Sequence, residues 1–283
     1  MPFLYHGEMK YFTFNFLNKF SISHGVFCRK GGVSPKPWES LNLGGTNGDV
    51  RDNVIENRKR IFSVFQLEVN TIFDTWQVHG TNIICADRPR RLDETHPKAD
   101  GILTNSSDIT LFMRFADCVP LLFYDPVKGV IGIGHAGWMG TKDQIARKIV
   151  EVMVKNYHCR LSDIAVGIGP SIGPDHYEVG VDVFRQYEQV FRSEADEYFR
   201  YTNGKIYLDL WKANEIILRL AGIINIETCK ICTGCNVEDW YSHRVENGRT
   251  GRFGVLLSLS RRENLGRIGS EDPKQYSASS RQY

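Results

Sequence analysis

Two apolar runs separated by four turn-forming residues are the feature that most restricts the fold. Val119-Pro120-Leu121-Leu122-Phe123-Tyr124 and Gly129-Val130-Ile131-Gly132-Ile133-Gly134 flank Asp125-Pro126-Val127-Lys128. The pattern predicts a β-hairpin with a four-residue loop. With Tyr124 facing Gly129, the same register sets Cys118 opposite His135. Their Cβ atoms would then stand about 4.5–5.5 Å apart. One ion could bridge them, since zinc bonds thiolate at about 2.3 Å and imidazole at about 2.0 Å. The pair admits two other readings. One is a nucleophilic Cys–His dyad, in which the histidine lowers the thiol pKa. The other is a packed cysteine beside a locally hydrogen-bonded histidine.

Around this hairpin the periodicity is irregular. Phe12, Phe14 and Phe16 alternate with Thr13 and Asn15 and read as a half-buried strand. Ile72–Val78, Ile102–Thr104, Ile109–Phe115, Ile164–Ile168 and Phe253–Leu259 read as further strands. Val54, Arg58, Ile61, Phe62 and Phe65 fall on one helical stripe, with Asp49 or Asp52 as its cap. A second helix is expected near Thr141, which has capping-box spacing to Gln144, with Ile145, Ile149, Val152 and Met153 on its apolar face. Two more lie near 181–192 and 207–221, the last stopped by Gly222. Strict βαβ alternation is absent, so the expected class is α+β, with layered mixed β-sheets flanked by helices.

The 283 residues are 42% hydrophobic, enough for a substantial core. No linker-like stretch divides them, so a single domain over 1–260 is expected, with a disordered polar tail over 261–283. Thirty-five basic and 33 acidic residues leave a net charge of +2 with no polybasic block, which implies no nucleic-acid partner. No apolar run approaches the roughly 18 residues of a membrane span, and Met1–Glu8 lack a secretory n-region and h-region. A cytoplasmic location is expected. Seven cysteines, an odd number, then read as thiols. Cys229, Cys232 and Cys235 form C-x2-C-x2-C, but no fourth cysteine follows as a ferredoxin-type cluster requires; a thiolate metal site with an outside ligand is the alternative, and reduced, packed thiols are the expectation.

Several ordered motifs carry a resemblance. Trp76-Gln77-Val78-His79-Gly80, Ala99-Asp100-Gly101, Ala116-Asp117-Cys118-Val119-Pro120, Gly134-His135-Ala136-Gly137-Trp138 and Tyr241-Ser242-His243-Arg244 resemble the motifs of the YfiH-like family. Ser23–Phe27, Leu41–Gly44, Asn57-Arg58, Gly167–Gly173 and Gly248–Arg252 add to the match. The family is also labelled multicopper polyphenol oxidoreductase, laccase-domain protein and purine nucleoside phosphorylase. The resemblance implies a YfiH-like fold with His79, Cys118 and His135 as zinc ligands. It also implies phosphorolysis of adenosine, inosine or methylthioadenosine and hydrolytic deamination of adenosine, with purine nucleoside and phosphate as partners. The Gly167–Gly173 segment would close over the site. The chain departs from the pattern at Met139, where arginine is usual, at Thr46, where histidine is common, at Asp175-His176, which replaces a frequent cysteine pair, and at Val245, where arginine is frequent.

Three protein ligands with a fourth position open suit a catalytic zinc, and Asp100 or Asp117 are candidates to move protons there. Arg58, on an apolar stripe, requires an anionic partner or must snorkel outward. Phosphate is one such partner and a protein carboxylate another. Arg244 is a second phosphate candidate, and free N–H groups near Thr141 a third. Asn42 and Gln77 are candidates for ribose or base. Copper at the single site is possible. A conventional multicopper oxidase needs many imidazoles, whereas this chain has eight histidines and no His-x-His pair. The competing readings are a Cys118/His135 hydrolase acting on an amide such as a cell-wall peptide, a single-copper oxidoreductase, and a binding protein with structural zinc. Oligomeric state is left open.

Overall fold

The apolar hairpin pairs as β8 (Val119–Asp125) and β9 (Val130–Ala136) in the computed structural model, which describes residues 3–259. Its register differs from the expected one. Asp125 pairs with Val130 instead of standing in the loop, so Pro120, not Cys118, lies opposite His135. The cause is local. Asp125 Oδ1 accepts from the backbone N–H groups of Val127 (2.8 Å) and Lys128 (2.9 Å), a side-chain-closed turn. Gly129 has a φ of +63° and bonds back to the Asp125 carbonyl, a conformation that favours glycine. The loop therefore slides by one residue, which moves every partner by two. Because side chains alternate with a period of two, Cys118 and His135 stay on one side of the hairpin, as diagonal neighbours.

β5 (Ile83–Cys85), β6 (Gly101–Thr104), β10 (Ala165–Ile168) and β14 (Asn225–Thr228) complete a six-stranded sheet of order β14-β10-β8-β9-β6-β5. A second sheet contains β1 (Phe3–His6), β2 (Met9–Phe12), β3 (Ile22–Phe27), β4 (Ile72–Phe73), β7 (Thr110–Phe115) and β15 (Phe253–Leu259) in the order β1-β2-β3-β15-β7-β4. Both mix parallel and antiparallel pairs. A small antiparallel sheet holds β11 (Glu178–Val179), β12 (Phe199–Thr202) and β13 (Lys205–Leu208).

Alternation along β8 builds the layers. Leu121 and Phe123 pack with Ile145, Ile149 and Met153 and with Ala213 and Ile217. Those belong to α3 (Ile145–Tyr157) and α5 (Leu210–Leu220). Leu122 and Tyr124 point the other way, into a core shared with Phe12, Phe14, Val255 and Leu257 of the second sheet region. The far face of that sheet, with Tyr11, Phe27 and Leu256, is covered by Ile61 and Phe62 of α1 (Arg51–Ser63). Helix, sheet, sheet and helix thus stack in a single α+β domain, each large apolar side chain contributing about 1.5–3 kcal/mol by leaving water. α2 (Trp138–Lys142) and α4 (Val181–Phe191) complete the helices. Among the described residues, no helix is long and apolar enough to cross a membrane.

Several expected elements change form. β2 ends at Phe12; beyond it, side chains replace ladder partners, with His24 Nε2 accepting from Phe14 N (3.0 Å) and Glu227 from Asn15 N and Phe16 N. The expected Ile72–Val78 strand keeps only Ile72–Phe73 and an isolated bridge from Trp76 to Lys98. Neither Asp49 nor Asp52 caps α1: the N-cap is Val50, without a side-chain cap bond, and Asp49 Oδ1 instead accepts from Val50 N (2.8 Å), one residue ahead of the helix. Thr141 caps nothing. It lies inside α2, buried, accepting from Asn214 Nδ2, and its own N–H is bonded to Gly137 O; the helix start lies at Trp138, three residues earlier. The expected tail lies outside the described residues.

Candidate metal centre and its cleft

His79 follows the β4 segment, Cys118 immediately precedes β8 and His135 lies on β9. Their ligand atoms all lie within 4.8 Å of one another, although His79 is distant in sequence from the hairpin. Backbone strain places two of them: His79 itself has a φ of +60° and Asp117, just ahead of Cys118, a φ of +83°, conformations uncommon outside glycine. The imidazole rings of His79 and His135 meet edge to face at 4.9 Å, with Phe115 packed 5.4 Å from His135. A Cβ at Gly137 would stand 2.9 Å from Cys118 Sγ and 3.2 Å from His79 Cδ2, so only glycine lets the chain pass this close.

Asp100 ties the two histidines together. It is fully buried. Oδ1 accepts from His79 N (3.0 Å), and Oδ2 from Gly80 N (2.7 Å) and Val78 N (3.2 Å). Oδ1 also lies 2.8 Å from His135 Nδ1. An ionised carboxylate only accepts, so Nδ1 carries a ring proton, and in the neutral ring Nε2 is the nitrogen that presents its lone pair to the cluster. Burial works against a Cys118 thiolate, but the charge on His135 and hydrogen bonds with His135 and His79 outweigh it and bring the thiol down to about 6. Burial also opposes a charged His135, yet the Cys118 thiolate and Asp100 lift it to about 9.

The cluster forms the floor of a cleft of about 490 Å³. Of the expected site residues, His79, Cys118, His135, Asp117, Gln77 and Arg244 line it; Asp100, Asn42 and Arg58 do not. Asp117 Oδ1 accepts from Thr233 Oγ1 (2.6 Å) and Oδ2 from Arg244 N (2.7 Å). Gln77 is spent on structure: its amide pairs both ways with the Arg114 backbone, at 2.7 and 3.1 Å. Arg244 stacks 5.0 Å over Tyr177 and donates to Glu178 O (2.6 Å).

Asn42 is buried and organises the rim, accepting from Gly44 N (3.0 Å) and Arg252 N (2.9 Å). Arg58 departs from the phosphate expectation. Its guanidinium lies 3.7 Å from the buried carboxylate of Asp74 and donates to Leu43 O (3.2 Å). The anionic partner its stripe position demands is therefore a protein side chain. Asp74 also takes Arg90 Nε at 2.7 Å and His96 Nε2 at 3.1 Å. Burial pushes this carboxyl up, but the His96 hydrogen bond and the charges of Arg114 and Arg58 hold it well below the carboxylate range.

Two lining arginines escaped the sequence reading. Arg252 ends the Gly248–Arg252 motif, and its charge faces Cys118 and Asp117. Arg114 is the sole charge in the apolar run Ile109–Phe115, which could have marked it. Its guanidinium donates to Thr75 O. From the Gly167–Gly173 segment, Ile172 lines the cleft, with Tyr177 beyond it.

The chain is similar to proteins of known sequence and structure. Purine nucleoside phosphorylase YlmD of Geobacillus stearothermophilus is 36% identical over 248 residues, 84% of this chain and 90% of the relative. Purine nucleoside phosphorylase of Deinococcus radiodurans is 35% identical over 243 residues, 86% of this chain and 91% of the relative. The crystal structure of YlmD from Geobacillus stearothermophilus matches with a TM-score of 0.86 and 32% identity, covering 92% of this chain and 99% of that one. A family model described as multi-copper polyphenol oxidoreductase laccase matches residues 23–260. With that match over most of its length, the chain belongs to the multi-copper polyphenol oxidoreductase laccase family.

Proposed function

We propose that this chain is a zinc-dependent purine nucleoside phosphorylase, with hydrolytic deamination of adenosine as a second activity of the same cleft. The observation that carries the reading is the convergence of His79, Cys118 and His135 within 4.8 Å on the floor of an arginine-lined cleft. Two imidazoles and a thiolate, with the His135 tautomer fixed by Asp100, are a zinc donor set that leaves a fourth position for substrate or water. When bound there, zinc supplies a Lewis acid and lowers the pKa of bound water toward 7. The relatives' names support the purine nucleoside and phosphate substrates.

The chain's own residues divide the remaining work. Arg252 and Arg244, at the cleft wall, offer guanidinium forks to phosphate. Asp117, which lines the cleft, is the proton-transfer candidate, whereas Asp100 lies behind His135 and acts as a positioning residue. Trp138 and Tyr177 supply aromatic surface to the base.

The test is incubation of the purified chain with adenosine and phosphate, with chromatography for adenine, ribose 1-phosphate and inosine and elemental analysis for zinc and copper. Cys118→Ala should lose the metal and both products. Unchanged turnover in that variant would overturn the reading. The depressed Cys118 thiol beside His135 also suits the amide hydrolase reading. That reading requires alkylation at Cys118 in a metal-free protein whose amide turnover ignores chelators.

A further inference from the structure

The C-x2-C-x2-C run divides in space. Cys229 packs against the core between the sheets, and burial pushes its thiol up to about 12. Cys232 and Cys235 gather instead with Asp175 and His176, none of which lines the cleft. One donor atom from each of these four residues lies within 4.8 Å of all the others. His176 Nδ1 is 3.7 Å from Cys232 Sγ, 3.5 Å from Cys235 Sγ and 3.3 Å from Asp175 Oδ2. Ligands bonded at about 2.0–2.3 Å around a tetrahedral zinc stand about 3.3–3.8 Å apart. Those three separations already match such edges. Of the other three edges, Cys235 Sγ to Asp175 Oδ2 is a 2.7 Å thiol-to-carboxylate hydrogen bond, and the two from Cys232 Sγ to Cys235 and Asp175 lie within 4.8 Å.

The backbone supplies an independent indication. Cys232 Sγ accepts from Gly173 N (3.2 Å) and from Cys235 N (3.4 Å). Sulfur in a neutral thiol is a weak acceptor, whereas a thiolate gains from converging donors. A two-residue spacing that folds the second cysteine's N–H back onto the first sulfur presents both sulfurs to one point.

We propose that Asp175, His176, Cys232 and Cys235 form a second metal site, structural and zinc-selective, separate from the cleft triad. Four protein donors close the coordination shell, as in structural rather than catalytic zinc sites. Two sulfurs and an imidazole favour zinc over magnesium or calcium. Binding displaces the thiol protons of both cysteines to solvent and forms two zinc–sulfur bonds without any change of oxidation state.

The ion would lock two segments that a short backbone ladder and the Gly173 N to Cys232 Sγ hydrogen bond already join. Thr233 N donates to Ser171 O (2.9 Å) and Ser171 N to Ile231 O (3.2 Å). From the same segments, Ile172 N reaches Asp117 O (2.9 Å) and Thr233 Oγ1 reaches Asp117 Oδ1 (2.6 Å). The site thereby steadies Asp117, adjacent to the cleft cysteine, and the wall holding Ile172 and Tyr177.

Metal counting on the full chain, loaded with zinc and dialysed against a weak chelator, tests this site separately from the cleft. Wild type should retain about two zinc ions per chain, and Cys118→Ala, Cys235→Ala and Asp175→Asn about one each. Cys118→Ala combined with Cys235→Ala should retain none. Cys235 and Asp175 are exposed, so these variants leave the buried core untouched. Cobalt loaded into Cys118→Ala should show thiolate charge-transfer absorption that Cys235→Ala removes. Zinc lost from Cys235→Ala but not from Cys118→Ala would uphold this site and sink the cleft reading. Equal zinc in wild type and Cys235→Ala overturns the proposal, as does a Cys232–Cys235 disulfide in protein purified without added oxidant.

Discussion

Replacing Asp100 with asparagine changes almost no volume but removes the charge on which two ligands depend. The carboxylate accepts from Val78 N, His79 N and Gly80 N and meets His135 Nδ1. The amide has one acceptor oxygen, so two orientations are open. With oxygen in the Oδ1 position, His79 N and His135 Nδ1 stay bonded, but the NH2 group confronts Val78 N and Gly80 N. The flipped amide opposes His79 N and drives the ring proton of His135 to Nε2, the nitrogen facing the cluster. Either way two bonds to a charged acceptor are lost, each worth about 1.5–3 kcal/mol. Asp100→Asn should therefore lose about 3–6 kcal/mol of stability, and zinc affinity should fall about 10–100-fold. Urea denaturation gives the first quantity and chelator competition the second. An unfolding midpoint and zinc affinity both equal to wild type would show that Asp100 neither anchors the His79 backbone nor sets the His135 tautomer.

Other substitutions separate the roles of neighbouring groups. Gly137→Ala forces a methyl to 2.9 Å from Cys118 Sγ, displacing the sulfur by most of an ångström; turnover should drop about 100-fold with the apo fold intact by circular dichroism, and normal turnover would contradict the crowding. Arg252→Ala should raise KM for phosphate about 10–100-fold, whereas Arg58→Met, which strips a partner from Asp74, should cost about 1–3 kcal/mol of stability and leave that KM alone. Equal phosphate effects in the two variants would refute the assignment. Burial lowers His24 from 6.5 to about 4, and Nε2 of the neutral ring accepts from Phe14 N. Between those values the unfolded chain binds a proton the folded chain refuses, so stability falls as pH drops from 6.5 to 4, by about 3 kcal/mol. His24→Gln should lack that slope in denaturation at pH 7 and pH 4.

Much of the framework was legible because it depends on local pattern. β7, β8, β10 and β15 begin within a residue or two of the positions that apolar runs suggest, α1 follows its stripe, and α4 and α5 fall within the expected 181–192 and 207–221. The Cys118–His135 proximity was also visible, though by a register one turn residue out. It survived because a shift of two partners preserves the face. What stayed hidden depends on groups remote in sequence. Phe14 and Phe16 lose their strand because His24 and Glu227 offer side-chain acceptors, and no periodicity reports that. His79 reaches the cluster through a left-handed turn fastened by Asp100. Only the motif resemblance could place it there. Arg58 was correctly marked as needing an anion, yet the sequence held no sign that Asp74, sixteen residues on, would meet it.

The distribution of the eight histidines decides how the family's multicopper description applies to this chain. A blue copper with a three-copper cluster calls for many imidazoles gathered in one region. Here His79 and His135 share one cluster, and His176 stands in the other. His24 is buried against Phe14, and His96 pairs with Asp74. His243 lines the cleft beside Arg244 without joining the cluster; His158 ends α3 in a left-handed conformation, and His6 lies on edge strand β1. No region offers more than two imidazole donors to a common point among the described residues. A cluster of several coppers therefore has no ligands here, and the physics of the donor set leaves room for one ion in the cleft. On the proposed zinc reading, that ion would polarise a substrate or a water beside the arginines.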